Sequence, residues 1–284
     1  MKFIKIFFCF LYFSTTYFSA TAQPFTARVL FDKMLHSIDI TKTCSYNLKL
    51  NERTKSGYRN CEYIIRLNVK PFKAYAYSVT PHPGAKALYI HGENDNKAYI
   101  HPNSFPYINL NLNPQSKMMR RNHLFTMNQL GFEYIGNILK GYFNRDSISF
   151  LKWMRLEKEI VYKGNNYYTM VLENNSFTYV NYTVQKGETI STIATKLLLN
   201  DNAILHLNSH VSSLDDVKPG QTIKVPTSFG KKIILYVDKS NFLPAIQEIY
   251  DDKGLMARIE MTSIVQNQKF QADEFTRTKK EYGF

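Results

Sequence analysis

Residues 182–226 crowd a full alternation of structural signals into 45 positions, and they leave that stretch few ways to fold. Tyr182-Thr183-Val184 opens as a short strand, and Lys186-Gly187 supplies a turn. Thr189 then stands where a helix N-cap belongs. Behind it Ile190, Ile193, Ala194, Leu197 and Leu198 fall at i, i+3, i+4, i+7 and i+8, one continuous helical face. Asp201 is placed to cap a second short helix carrying Ala203, Ile204 and Leu207. Pro219-Gly220 turns the chain into a closing strand over residues 222–225, stopped by Pro226. Strand, helix, helix and strand in so few residues make a very small core.

These residues closely resemble the LysM carbohydrate-binding module. The matching features are Tyr182-x-Val184, Gly187-Glu188-Thr189-Ile190, Ile193-Ala194, Leu207-Asn208 and the tail Pro219-Gly220-Gln221-x-Ile223-x-Val225-Pro226. Glu188 departs from the family, which usually has Asp there; the carboxylate is kept with one more methylene. The resemblance implies a βααβ fold that binds N-acetylglucosamine-containing glycans such as peptidoglycan or chitin. It also implies a sugar groove between a loop and the end of the second helix, which nominates Gly187, Glu188, Thr189 and Ile190 on one side and Leu207, Asn208, Ser209 and His210 on the other. A module kept for folding or protein contact is the alternative, since a fold does not guarantee a working site.

The chain's beginning reads as an address. Lys2 and Lys5 precede eight apolar residues over 6–13, too short for the roughly 20 that span a bilayer. Ala20-Thr21-Ala22 gives a small-x-small cleavage pattern, so residues 1–22 are expected to be a signal peptide removed before Gln23. Cys9 lacks a lipoprotein-signal context, and no later stretch approaches transmembrane length. The expected location is the periplasm or cell envelope of a bacterium.

The 284 residues carry 36 Lys+Arg against 23 Asp+Glu, a net charge of +13 that cleavage would lower to +11. Within 182–226 Lys186, Lys196, Lys218 and Lys224 balance Glu188, Asp201, Asp215 and Asp216. All the excess positive charge therefore belongs to the flanks, which suggests two units with different work. Upstream, a helix is expected over residues 26–38 and another over 128–142. Strands are expected over 46–53, 59–69, 74–79, 87–91 and 97–101, then 167–172 and 177–182. Downstream, residues 227–284 hold short β-rich runs that would have exposed edges and little core alone. Joining them to residues 23–181 solves both problems and makes residues 182–226 an insertion in a hairpin-like connection.

The flanks resemble an uncharacterised exported family, domain of unknown function 1571, itself similar in architecture to the lipoprotein-carrier LolA/LolB-like proteins. The resemblance rests on Ala87-Leu88-Tyr89-Ile90-His91-Gly92, on Leu243-Pro244-x-Ile246-x-Glu248-Ile249-Tyr250-Asp251-x-x-Gly254, and on Phe275 and Tyr282-Gly283-Phe284. It implies an α+β fold, a curved antiparallel β-sheet packed on helices, with an apolar cavity and no catalytic residues.

Cys44 and Cys61 pose a separate question, because export favours disulfides. A hairpin turning near Lys55-Ser56 would set Cys44 opposite residue 67 or 68, about 20 Å from Cys61 at the usual strand rise. A disulfide needs Cα atoms within about 7 Å, so two free thiols are expected.

Catalytic chemistry finds little support. The seven histidines include no HxH or HExxH pair, and His206 and His210 fall where the second helix should be ending, so no metal site is expected. Neither Cys44 nor Cys61 has the context of a nucleophile. Glu157 with Glu159, in a helix rich in Lys and Arg, and Glu93 with Asp95, in a polar turn, read as solvated faces. The basic runs at Met118-Met119-Arg120-Arg121 and Arg277-Thr278-Lys279-Lys280 would suit nucleic acid, which export argues against; anionic envelope polymers or lipid headgroups fit better. The expectation is an exported, non-catalytic protein without cofactor that attaches to peptidoglycan or a related polymer. A carrier or sensor holding a lipid or acyl chain is the runner-up, and a cell-wall hydrolase comes third.

Overall fold

A computed structural model describes residues 25–284, with residues 55, 56, 106, 121 and 122 excepted. The expected signal peptide, Cys9 included, lies outside the described residues. Helix α1 (Ala27–Ile40) starts on Thr26, whose hydroxyl accepts from the Val29 N–H. Five strands follow as an antiparallel meander: β1 (Thr43–Thr54), β2 (Gly57–Asn68), β3 (Lys73–Thr80), β4 (Lys86–Ile90) and β5 (Ala98–His101). The β1–β2 hairpin sets Cys44 opposite Leu67 and Cys61 opposite Leu50, so both thiols stay free and buried. Burial pushes the Cys44 thiol up to about 12.

Next come β6 (Leu110–Leu112), α2 (Lys117–Arg120), α3 (Glu133–Arg145) and α4 (Ser147–Trp153). The helix expected over 128–142 therefore starts later, because Met127–Gln129 forms a separate 3-10 turn capped by Thr126. Strands β7 (Met154–Leu156) and β8 (Ile160–Tyr162) both pair with β9 (Asn165–Glu173). This corrects the helical setting expected for Glu157 and Glu159: Met154 turns extended after α4, and Ile160 and Val161 prefer a strand. Glu157 pairs instead with Arg155, and Glu159 with Lys239.

The chain then leaves the sheet for β10 (Tyr179–Thr183), α5 (Ile190–Leu197), α6 (Asp201–Leu207) and β11 (Thr222–Pro226). It returns through β12 (Lys232–Asp238), β13 (Pro244–Asp251) and β14 (Gly254–Gln266). The large sheet runs β6-β5-β4-β3-β2-β1-β14-β13-β12-β9-β7, while β10 and β11 form a separate pair. It is curved and antiparallel, so the fold is α+β.

One face of the sheet is apolar at period two. On β1, Cys44, Tyr46, Leu48 and Leu50 point inward, and Ile233, Leu235 and Val237 do so on β12. Against them lie Leu30, Phe31, Met34 and Ile38 of α1, and Phe31 meets Phe143 and Phe150 at 5.8 and 5.6 Å between rings. On another face Tyr282 stacks on Tyr75 at 4.0 Å, while Glu274 binds both Arg66 and Lys279. That contact fastens the C-terminal tail to the sheet.

Candidate functional site

Residues 179–226 bury a small core of their own, in which Ile190, Ile193 and Ile204 are fully enclosed. Thr189 caps α5 as its sequence position predicts, accepting from the Thr192 N–H. For α6 the cap is Asn200, not the expected Asp201: the Asn200 side chain accepts from the Ala203 N–H, three residues on. Asp201 becomes the first helical residue.

Gly187 has φ +81°, a left-handed conformation that a side chain strains, and a Cβ there would meet open space. Glu188 holds this loop rigid. Its carboxylate accepts from the Gln185 N–H at 2.9 Å, the Tyr182 hydroxyl at 2.8 Å and the Lys196 ammonium at 2.9 Å. Those contacts, the Gln185 amide foremost, keep the carboxyl below its usual range, and the Tyr182 and Glu188 contacts push Lys196 up to about 12.

The eight nominated residues do not form one continuous surface. Ile190 is wholly buried, and its N–H donates to the Leu214 carbonyl at 2.8 Å. Asn208 is also buried: its amide donates to the carbonyls of Ile204 and Lys224, and its oxygen accepts from the Lys224 N–H. Leu207 faces a pocket shared with Leu124 and Phe229 of the surrounding fold. Ser209 and His210 are exposed. The 187–190 loop therefore abuts residues 211–216, where Ser212 donates through both N–H and hydroxyl to Asp216. Sequence periodicity misses this neighbour because 211–216 is an irregular loop anchored by Val211 and Leu214, whose spacing belongs to no helix or strand.

The module is also keyed into the sheet domain. Asn200 and Asn202 both donate to the Leu124 carbonyl, at 2.9 and 3.1 Å. Arg120, buried at 6% exposure, binds the Gln115 carbonyl at 2.6 Å and the Asn202 side-chain oxygen. Tyr142 donates to the Leu198 carbonyl, and Leu198 fits the gap left by Gly141, where a Cβ would come within 2.6 Å.

A second candidate lies beneath this contact. The inner sheet face and residues 114–135 enclose a cavity of about 170 Å³, lined by Leu48, Leu50, Ile65, Met127 and Phe229 among others. At its rim Glu52 is fully buried and accepts from the N–H groups of Leu124 and Phe125 at 2.7 and 3.1 Å and pairs with the His123 ring at 2.8 Å. Glu52 continues the inward stripe of β1, and its polar character gave no sign of burial. Among the described residues no cluster of three or more His, Cys, Asp and Glu side chains could hold a metal, and no helix is long and apolar enough to cross a membrane.

Comparison with known proteins follows this division. Residues 182–226 match the model of the LysM domain, and residues 42–175 match that of a protein of unknown function, DUF1571. No curated protein matches the chain. Among solved structures, a LolA superfamily protein from Nitrosomonas europaea aligns with 11% identity and TM-score 0.34, covering 89% of this chain and 99% of its own. Lipoprotein LppX from Mycobacterium tuberculosis aligns with 8% identity and TM-score 0.42, covering 87% and 98%. A DUF1329 family protein from Desulfovibrio piger aligns with 8% identity and TM-score 0.37, covering 88% and 97%. The chain thus carries a LysM domain at residues 182–226 and the DUF1571 region over residues 42–175.

Proposed function

We propose that this is an exported, non-catalytic envelope protein that binds peptidoglycan, or a related N-acetylglucosamine polymer, through its LysM domain. Residues 23–181 and 227–284 then form one discontinuous domain that serves as scaffold. The LysM match at 182–226 carries the reading. The braced loop at Gln185–Thr189 supports it, because a weak sugar site gains when its backbone is already ordered. Within the nominated set, Gly187, Ser209 and His210 are the contacts, Thr189 and Glu188 hold the loop, and Ile190 and Asn208 shape the module from inside. The test is co-sedimentation of the chain lacking residues 1–22 with insoluble peptidoglycan, at low and high salt. Retention at high salt is expected, since sugar contacts persist where exposed charge contacts are screened. Loss of all binding at high salt would assign it to the basic surface and overturn the reading.

The apolar cavity favours a second reading, a carrier or sensor of an apolar group. Its volume limits the cargo. An engineered apolar cavity of about 150 Å³ takes up benzene, whereas drug-sized ligands need roughly 300–1,000 Å³. At about 170 Å³ it suits one ring or a short chain segment, not a whole lipid. Mass spectrometry of small molecules co-purifying with the protein tests this; a bound multi-chain lipid would show that the cavity opens well beyond its present size.

A further inference from the structure

The neutral module and its basic surroundings meet along an open cleft of about 770 Å³. The module side contributes the hydroxyls of Ser209 and Ser212 and the side chain of Val211; the other side contributes Lys117, Met118 and Arg120. We propose that this cleft continues the glycan site and makes it selective for glycans bearing carboxylates over neutral N-acetylglucosamine oligomers. The inference rests on the glycan-binding reading above and names the class of glycan.

Three observations carry it. The first is continuity. Ser209 and Ser212 wall the cleft, and Leu214, two residues further, accepts the Ile190 N–H behind the Gly187 loop. One loop therefore has the candidate sugar groove on one side and the cleft on the other.

The second is charge. The module's four lysines and four acids cancel, so it has no net attraction for an anionic polymer. Where it meets the sheet domain, Lys117 and Arg120 face the cleft; Asp201 and Asp215 lie close enough to act on the Arg120 charge, so the open positive charge of the cleft is that of Lys117. Lys117 is exposed, and Arg120 is already fixed, spending two of its five N–H donors on Gln115 and Asn202. A guanidinium held in place in this way loses little freedom when a carboxylate arrives.

The third is the mixture of surfaces. Met118 and the half-buried Leu205 give apolar ground for the C–H face of a pyranose ring; Ser209 can donate to or accept from its hydroxyls, and Ser212, whose own hydroxyl donates to Asp216, can accept. That combination fits a sugar that carries an acid. A cleft for a fatty acid would not need the hydroxyls.

The experiment is calorimetry on the full chain lacking residues 1–22, with three probes. One is the N-acetylglucosamine tetramer, which is neutral. The second is a peptide-free tetrasaccharide alternating N-acetylglucosamine with N-acetylmuramic acid, whose lactyl groups carry the carboxylates. The third is a disaccharide–peptide fragment whose carboxylates lie on the peptide. At low salt at least one anionic probe is expected to bind about tenfold tighter than the neutral tetramer, and which one gains identifies the source of the acid. In Lys117→Glu, an exposed position where folding is not at stake, the ratio should fall to about one or below. High salt should compress it as well. A neutral tetramer that binds as tightly as both anionic probes retains the glycan reading and overturns this inference. So does a preference that survives Lys117→Glu intact. Binding of none of the three overturns both.

Discussion

The LysM domain and the sheet around it stabilise themselves in different ways. The sheet domain packs aromatic rings between its helices, as at Phe31, Phe143 and Phe150, with Phe31 and Phe150 wholly buried and Phe143 half-buried. The module is near the size at which a single core ceases to suffice, and it has no cysteine to staple it. It relies instead on placed polar groups: Asn208 joins α6 to β11, Asn200 caps α6, and Glu188 locks Tyr182 to Lys196. A buried polar group left without a partner costs about 1–3 kcal/mol in either core, and that is the larger share of what a small core has to lose. The consequence is that the polar residues of a small domain, which look like site residues in a sequence, are often its framework.

The largest test of that contrast is Phe31→Ala. Removing a fully buried ring that touches two others should cost about 3–5 kcal/mol, read as a lower denaturant midpoint for the sheet domain. An unchanged midpoint would mean the aromatic cluster is not what holds the three helices together. Next is Ile193→Ala in the module, for which about 2–5 kcal/mol is expected. In so small a core that loss should unfold the module ahead of the sheet, giving two transitions by circular dichroism. A single cooperative transition would show that the docking through Asn200 and Asn202 merges the two into one unit.

Smaller, and aimed at the framework claim itself, is Asn208→Leu. It strands the Lys224 N–H and two carbonyls, at a cost of about 1–3 kcal/mol to the module's thermal stability. Glycan loss with undiminished melting would make Asn208 a contact and not a brace.

The finest test is pH. The Glu188 carboxyl is held below the ordinary 4.5 of a glutamate, so its contribution is present above that value and lost as pH falls through the lower folded one. Lys196 is raised from 10.5 to about 12, so its contribution is present below 10.5 and lost as pH rises through about 12. Glu188→Gln should therefore flatten the module's stability on the acid side of pH 4.5. An acid limb as steep as the parent's would place the titrating group elsewhere.

Local chemistry made much of this legible from sequence. Hairpin arithmetic alone put Cys44 opposite residue 67 or 68, and the Thr189 cap and the face from Ile190 to Leu197 needed no tertiary information; Leu198, expected on that face, instead ends α5 in a left-handed conformation and packs on the sheet domain. What escaped depends on partners far along the chain. Asn200 and Asp201 are equally good caps in sequence, and the choice between them goes with the Asn200 amide reaching the Leu124 carbonyl. Leu207 sits at the expected helix end, yet the module's docking turns it toward Phe229. Lys117 and Arg120 read as an ordinary basic run, and their place beside the module becomes visible once α2 is set against Asn202.

The junction between module and sheet has a mechanical consequence. The chain departs at Glu173 and returns at Lys232, and these two residues are paired across adjacent antiparallel strands. A pull on the module along these strands therefore draws β9 and β12 the same way. It cannot peel them apart from each other. The strain falls on their outer ladders, β12 against β13 and β9 against β7, where rungs lie across the pull and share it. Loaded in shear, those ladders act as a tether more than as a hinge. If the module binds a polymer as proposed, the sheet would hold its shape while being pulled.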